Sequence, residues 1–185
     1  MEKTLYTITV FTENLVGLLN QITIIFTRRN INIETLTVSQ SSISGIHKFT
    51  ITVETTEDLA KKVVKQIEKK IDVLKAFYHT DKDLIYQEVA LYKIGAAAML
   101  DNPEIEGIVR KYNARILEVN RTFAVLELSG HTEETQELFE RLKAFHVLQF
   151  VRSGRIAVTT STIERLSDFL AEMEAGNPEK NATDK

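Results

Sequence analysis

One order of hydrophobic patterns is written twice along this chain. Leu5-Tyr6-Thr7-Ile8-Thr9-Val10-Phe11 is rich in β-branched and aromatic residues in rough alternation, which predicts a strand. Leu18, Leu19, Ile22, Ile25 and Phe26 then recur at helical spacing as one apolar stripe. Arg28 and Arg29 suit the last turn of that helix, and Asn30 suits a left-handed cap. Residues 33–38 and 47–53 alternate again. Thr55 or Thr56 is expected to cap a second helix, buried through Leu59, Val63, Ile67 and Ile71, and residues 73–78 close the unit as a strand. After the polar segment His79-Thr80-Asp81-Lys82-Asp83 the order returns: strand 89–94, helix 103–112 with Asp101 or Asn102 as cap and Pro103 at its first position, strands 114–119 and 122–128, a helix capped by Thr132, and strand 147–151. Residues 155–160 extend or add to that last strand.

Strand, helix, strand, strand, helix, strand is the ferredoxin-like order. The predicted fold is therefore α+β, two tandem ferredoxin-like βαββαβ units at 1-80 and 81-161. A short helix with Ile163, Leu166 and Leu170 on one face is expected at the start of 162-185, followed by a disordered tail. A unit of roughly 80 residues buries little surface alone, so pairing between sheets or subunits is expected, and the chain is read as a dimer or higher oligomer.

The composition excludes several classes. There is no cysteine, hence no thiolate nucleophile, disulfide or Cys-ligated zinc. His47, His79, His131 and His146 are scattered without metal-binding spacing, and the seven glycines form no phosphate-cradling motif. No catalytic or metal site is expected, and no cofactor in this chain. The net charge of −3 does not advertise nucleic acid. RNA-binding ferredoxin-like sheets carry paired stacking aromatics on the third strand, and here Phe49 stands alone. No apolar run approaches the ~20 residues of a membrane span, and the first residues lack the pattern of a signal peptide, so a cytoplasmic protein without membrane association is expected.

The informative loop is Asn14-Leu15-Val16-Gly17-Leu18-Leu19, between the first strand and the first helix. A glycine at a helix start leaves backbone N–H groups uncovered, and with the helix dipole they attract a carboxylate. A second segment, Asn30-Ile31-Asn32-Ile33-Glu34, enters the second strand. If the two converge at the sheet edge, N–H groups at Gly17 and Leu18 with Asn32 and nearby carbonyls describe a site for a free α-amino acid. The plainer reading is that Gly17 permits close packing and Asn32 makes a turn; the residues alone leave both open. Leu15, Leu19 and Ile22 read as core.

At these residues the chain resembles an ACT domain, and specifically the small subunits of acetohydroxyacid synthase (acetolactate synthase). Asn14-Leu15-Val16-Gly17-Leu18-Leu19-Asn20 resembles that family's N-x-x-G-x-L loop. Residues 26–38 resemble its F-x-x-R-x-x-N-I-x-S-L-x-V run, with Asn30 where glycine is usual. Glu88-Val89-Ala90-Leu91-Tyr92-Lys93-Ile94 resembles the start of its second domain, and Arg152-Ser153-Gly154-Arg155-Ile156-Ala157 its R-[ST]-G-x-[IV]-A segment. The resemblance implies a non-catalytic regulatory subunit in branched-chain amino acid (valine, leucine, isoleucine) biosynthesis. Such a subunit activates a large catalytic subunit that holds thiamine diphosphate, magnesium and FAD. It confers feedback inhibition, typically by valine, with leucine or isoleucine as the other candidate effectors. The effector sits between two ACT domains of a dimer, and the matching positions here are Asn14, Gly17, Leu18, Asn32 and Ile33. A stand-alone tandem ACT sensor acting on a different protein or on transcription is the alternative. A small enzyme on the same scaffold requires a catalytic constellation that the sequence does not display.

Overall fold

The computed structural model describes residues 2–161; the helix and tail expected within 162-185 lie outside them. The first unit runs β1 (Thr4–Glu13), α1 (Leu18–Thr27), β2 (Thr35–Gln40), β3 (Ile46–Thr55), α2 (Glu57–Ile67) and β4 (Val73–His79). Its sheet is antiparallel in the order β2-β3-β1-β4. The second runs β5 (Leu84–Gly95), α3 (Ala96–Asp101), α4 (Pro103–Lys111), β6 (Arg115–Val119), β7 (Phe123–Gly130), α5 (Thr132–Leu142), β8 (Val147–Arg152) and β9 (Ile156–Thr159). Its order, β6-β7-β5-β8, repeats that of the first. No helix among the described residues is long and apolar enough to cross a membrane.

Strand alternation decides which face is covered. Tyr6, Ile8 and Val10 of β1 and Phe49, Ile51 and Val53 of β3 turn toward the helices. There they bury Ile22, Ile25 and Phe26 of α1 and Ala60, Val63 and Ile67 of α2. The opposite face carries threonines, of which Thr7, Thr9, Thr50 and Thr52 are also buried. The second core is separate: Ala90, Tyr92 and Ile94 with Ala124 and Leu126 pack under Ile105, Leu138 and Leu142.

Several local expectations are corrected. Leu19 is 45% exposed, because it lies about 100° around the helix from Leu18 while Leu18, Ile22, Ile25 and Phe26 share the buried face. The second helix ends at Ile67, so Ile71 falls past its last turn and is fully exposed. The first helix ends at Thr27, so Arg28 and Arg29 follow it. The Arg29 guanidinium instead donates to Gln66 Oε1 at 2.8 and 3.0 Å. At α5 the cap position is His131, not Thr132: the Glu134 carboxylate accepts the His131 N–H at 2.7 Å. The Ala-rich run after β5 forms the unforeseen helix α3. Strand β5 is also longer than the expected 89–94, because β9 pairs with its first four residues.

Candidate functional site

The loop after β1 is held at both sides by backbone bonds: Glu13 N–H to Asp72 O at 3.1 Å and Asn14 N–H to Gly45 O at 3.2 Å. It turns into α1 through Gly17, whose φ of 86° is left-handed. A Cβ there would meet no atom within 4 Å, so the requirement for glycine is conformational. The first regular helical bond is Gln21 N–H to Gly17 O at 3.2 Å, no side chain among the described residues caps the helix, and its first turn holds no acidic residue. The N–H groups of Leu19 and Asn20 therefore lack a carbonyl one turn back, at the positive end of the helix dipole.

The expected residues contribute unequally. Asn14 is exposed on this loop. Leu18 is 2% exposed and its side chain belongs to the core, so it offers the site its backbone alone; its N–H faces Leu15 O at 3.5 Å. Leu15, Val16 and Leu19 instead stand exposed around the glycine as an apolar rim. Reading Leu15 and Leu19 as core missed them, because the entry angle set by the left-handed Gly17 is not carried by the apolar pattern.

The second segment leaves α1 through Asn30, at φ 54°. Asn30 N–H bonds Thr27 O and Ile31 N–H bonds Phe26 O, each at 3.0 Å, the paired bonds of a Schellman ending. Ile31 is buried, Asn32 is exposed, and Ile33 packs partly against the first core. Asn32 Nδ2 donates to Glu34 Oε1 at 2.9 Å, and Glu34 N–H joins the sheet at Thr52 O at 2.9 Å. Glu34 is a carboxylate at this segment that the sequence reading left without a role.

The two segments do not converge within one chain. Thr7 and Thr35 both pair with Thr52, whereas Thr12 and Gln40 both pair with His47. The glycine loop follows the Thr12 end, and Asn32–Ile33 precede the Thr35 end. Five residues of strand, roughly 17 Å at ~3.3 Å each, separate these levels. The connection through α1 explains it: the helix returns the chain to the opposite end of the sheet before β2 begins. Asn14, Gly17 and Leu18 thus lie at one end of the sheet, and Asn32 and Ile33 at the other.

Comparison with known proteins gives concordant results. Residues 8–75 match a family model described as the AHAS small subunit-like ACT domain, and residues 87–161 match the small subunit of acetolactate synthase. The acetolactate synthase small subunit of Bacillus subtilis (strain 168) is 32% identical over 161 residues, covering 86% of this chain and 93% of that protein. That of Mycobacterium leprae is 29% identical over 154 residues, covering 83% and 90%. The crystal structure of the acetolactate synthase small subunit from Thermotoga maritima shares the fold at a TM-score of 0.78 and 23% identity, covering 86% of this chain and 99% of that one. The chain belongs to the acetolactate synthase small-subunit family.

Proposed function

We propose that this chain is a non-catalytic regulatory subunit that raises the activity of an acetolactate synthase large subunit and makes it sensitive to a branched-chain amino acid, valine first. The thiamine diphosphate, magnesium and FAD chemistry belongs on that large partner. The effector binds across two copies of this chain.

The observation that carries this reading is the placement of the two proposed half-sites, the glycine loop and Asn32–Ile33, at opposite ends of β2, which among the described residues pairs with β3 on one side only. Two copies related by a two-fold axis meet isologously. If their β2 edges pair antiparallel, the start of one β2 lies beside the end of the other. Asn32 and Ile33 of the partner subunit then reach the level of Asn14, Gly17 and Leu18. The uncovered N–H groups at the start of α1 take the effector's carboxylate. The Asn32–Glu34 pair faces its ammonium with an amide oxygen and a carboxylate. Leu15, Val16 and Leu19 offer apolar surface to a branched side chain.

The test is reconstitution of the large subunit with and without this chain, titrated with valine, leucine and isoleucine. The expected result is higher acetolactate formation with the chain present and inhibition by one of the three. Equal rates with and without a saturating amount of this chain would reject the reading.

A further inference from the structure

The two units meet at the segment between β8 and β9. Both strands pair along the same edge of β5, β8 with residues 90–94 and β9 with residues 84–87. Across the gap, Ser153 keeps the edge closed: its N–H bonds Val89 O at 2.8 Å, and its Oγ accepts Val89 N–H at 3.0 Å. Gly154 and Arg155 are thereby turned toward the threonine face of the first sheet.

Gly154 rests on β2. A Cβ placed on it would lie 2.4 Å from Thr37 Oγ1 and 3.4 Å from the Leu36 backbone. Thr37 is short and branched, so it cannot swing away as a long side chain would. Arg155 is 3% exposed. Its guanidinium donates from Nη1 to Thr7 Oγ1 of β1 at 3.2 Å and to Asp81 Oδ1 of the connecting turn at 2.7 Å. It also lies 3.8 Å over the Tyr86 ring, whose hydroxyl donates to the second Asp81 oxygen at 3.2 Å. A buried guanidinium is costly unless it is partnered, so this set ties the second unit and the connecting turn to β1 at one point. Beside it a groove of about 400 Å³ opens between Thr37 and Lys48 of the first sheet and Ile85 and Val158 of the second unit. The units touch at the glycine and arginine, and across the groove Lys48 Nζ donates to Ala157 O at 2.7 Å.

We infer that this joint carries the effector signal from the first unit to the second, with Arg155 as a positioning residue and Gly154 as the contact that transmits movement of β2. The inference rests on the proposed amino-acid site. Asn32 and Ile33 lead directly into β2, of which Thr37 is the third residue. An effector that draws this segment toward itself shifts β2. Gly154 has no clearance in which to absorb the shift, whereas the long Lys48 side chain, the tether across the groove, can follow the second unit as it turns about the Arg155–Asp81 pair. The second unit then changes orientation without altering the effector site.

The experiment compares Gly154→Ala, Thr37→Ala, the double variant and Arg155→Met. For each, valine binding to this chain alone is measured by calorimetry, valine inhibition is measured in the reconstituted synthase, and a thermal melt reports folding. Site couplings are commonly worth about five- to 150-fold. Gly154→Ala and Arg155→Met are therefore expected to keep valine affinity within about threefold and raise the inhibition midpoint about tenfold or more. Thr37→Ala removes the obstructing oxygen, so the double variant is expected to recover inhibition. Folded variants inhibited like wild type would overturn the inference, as would a double variant no better than Gly154→Ala. If Arg155→Met does not fold, Asp81→Asn applies the same test to the pair from its exposed side. Wild-type protein that neither binds nor responds to any amino acid would instead sink the effector reading itself, and this inference with it.

Discussion

Gly17 and Asn32 belong to the two proposed half-sites for different physical reasons, and their substitution should be read differently. Gly17→Asp places a carboxylate beside the open N–H groups of α1 at a left-handed position, which costs on the order of 1 kcal/mol. The new charge competes with the carboxylate of an amino acid. Asn32→Ala removes an amide partner, and a hydrogen bond to a charged group is worth roughly 1.5–3 kcal/mol, about a ten- to hundredfold loss of affinity. Both variants should remain folded, lose valine inhibition to about that extent, and keep most activation, as read by titration of reconstituted synthase beside a melt. Wild-type sensitivity in both folded variants would displace the site. Tyr92 illustrates a structural hydroxyl: it is buried and donates to Thr135 O at 2.7 Å. Tyr92→Phe should cost about 1 kcal/mol by chemical denaturation. Burial, the main cause, pushes the Tyr92 pKa well above the ordinary tyrosine value, and burial likewise raises that of Tyr6. A folded-state pKa above the unfolded one gives stability that is present below about pH 10 and lost as pH rises further. A denaturation series from neutral to alkaline pH should therefore show stability falling above about pH 10 in wild type, and falling less steeply in Tyr92→Phe. Asn30 was legible as a left-handed cap because left-handed backbone selects few residue types; the left-handed turn at Gly17 was not, and the close packing weighed for it is absent, since a Cβ there would meet nothing within 4 Å. Nor was the exposure of Leu15 and Leu19 legible, because an apolar residue at a helix start fits either side of the stripe until the entry angle is known.

At the scale of elements, long alternating or helical stretches were legible, and elements defined by distant partners were not. The first strand and first helix follow from their own periodicity. The first four residues of β5 carried no strand expectation because their partner, β9, lies about seventy residues further on in the chain, and no local pattern reports such a pairing. The start of α5 was half legible. Glu133 and Glu134 suit a first turn, but the reading put Thr132 at the cap. Glu134 instead closes on the His131 N–H, and the Thr132 hydroxyl turns to the buried Glu88 carboxylate at 2.8 Å. Glu134→Ala should therefore destabilise the second unit by about 1 kcal/mol, whereas Glu133→Ala should change it by less than about 0.5 kcal/mol. Equal effects in paired melts would show that the reciprocal cap contributes nothing.

At the scale of the molecule, the tandem repeat was legible because each unit repeats its own periodicities, but the separation of the half-sites was not. Sequence places Gly17 and Asn32 fifteen residues apart, and only the strand registers put them at opposite ends of the sheet. The proposed β2-to-β2 pairing makes a specific demand on the backbone. Ser41 N–H bonds Ile46 O at 2.8 Å, so alternation along the ladder turns the odd-numbered residues of β2 toward β3 and points the N–H groups of Leu36, Val38 and Gln40 at the free edge. Proline at Val38 removes one of those outward donors and leaves the β3 ladder intact, a placement that edge strands tolerate. Val38→Pro is therefore expected to fold, to sediment as a smaller species than wild type at the same concentration, and to lose valine binding, because Asn32 of the partner subunit no longer reaches the glycine loop. Adding Gly17→Asp to this variant should then have no further effect on binding, since one half-site has already lost its complement. A folded, monomeric Val38→Pro protein that binds valine with wild-type affinity would place the whole site inside one chain and reject the two-copy arrangement.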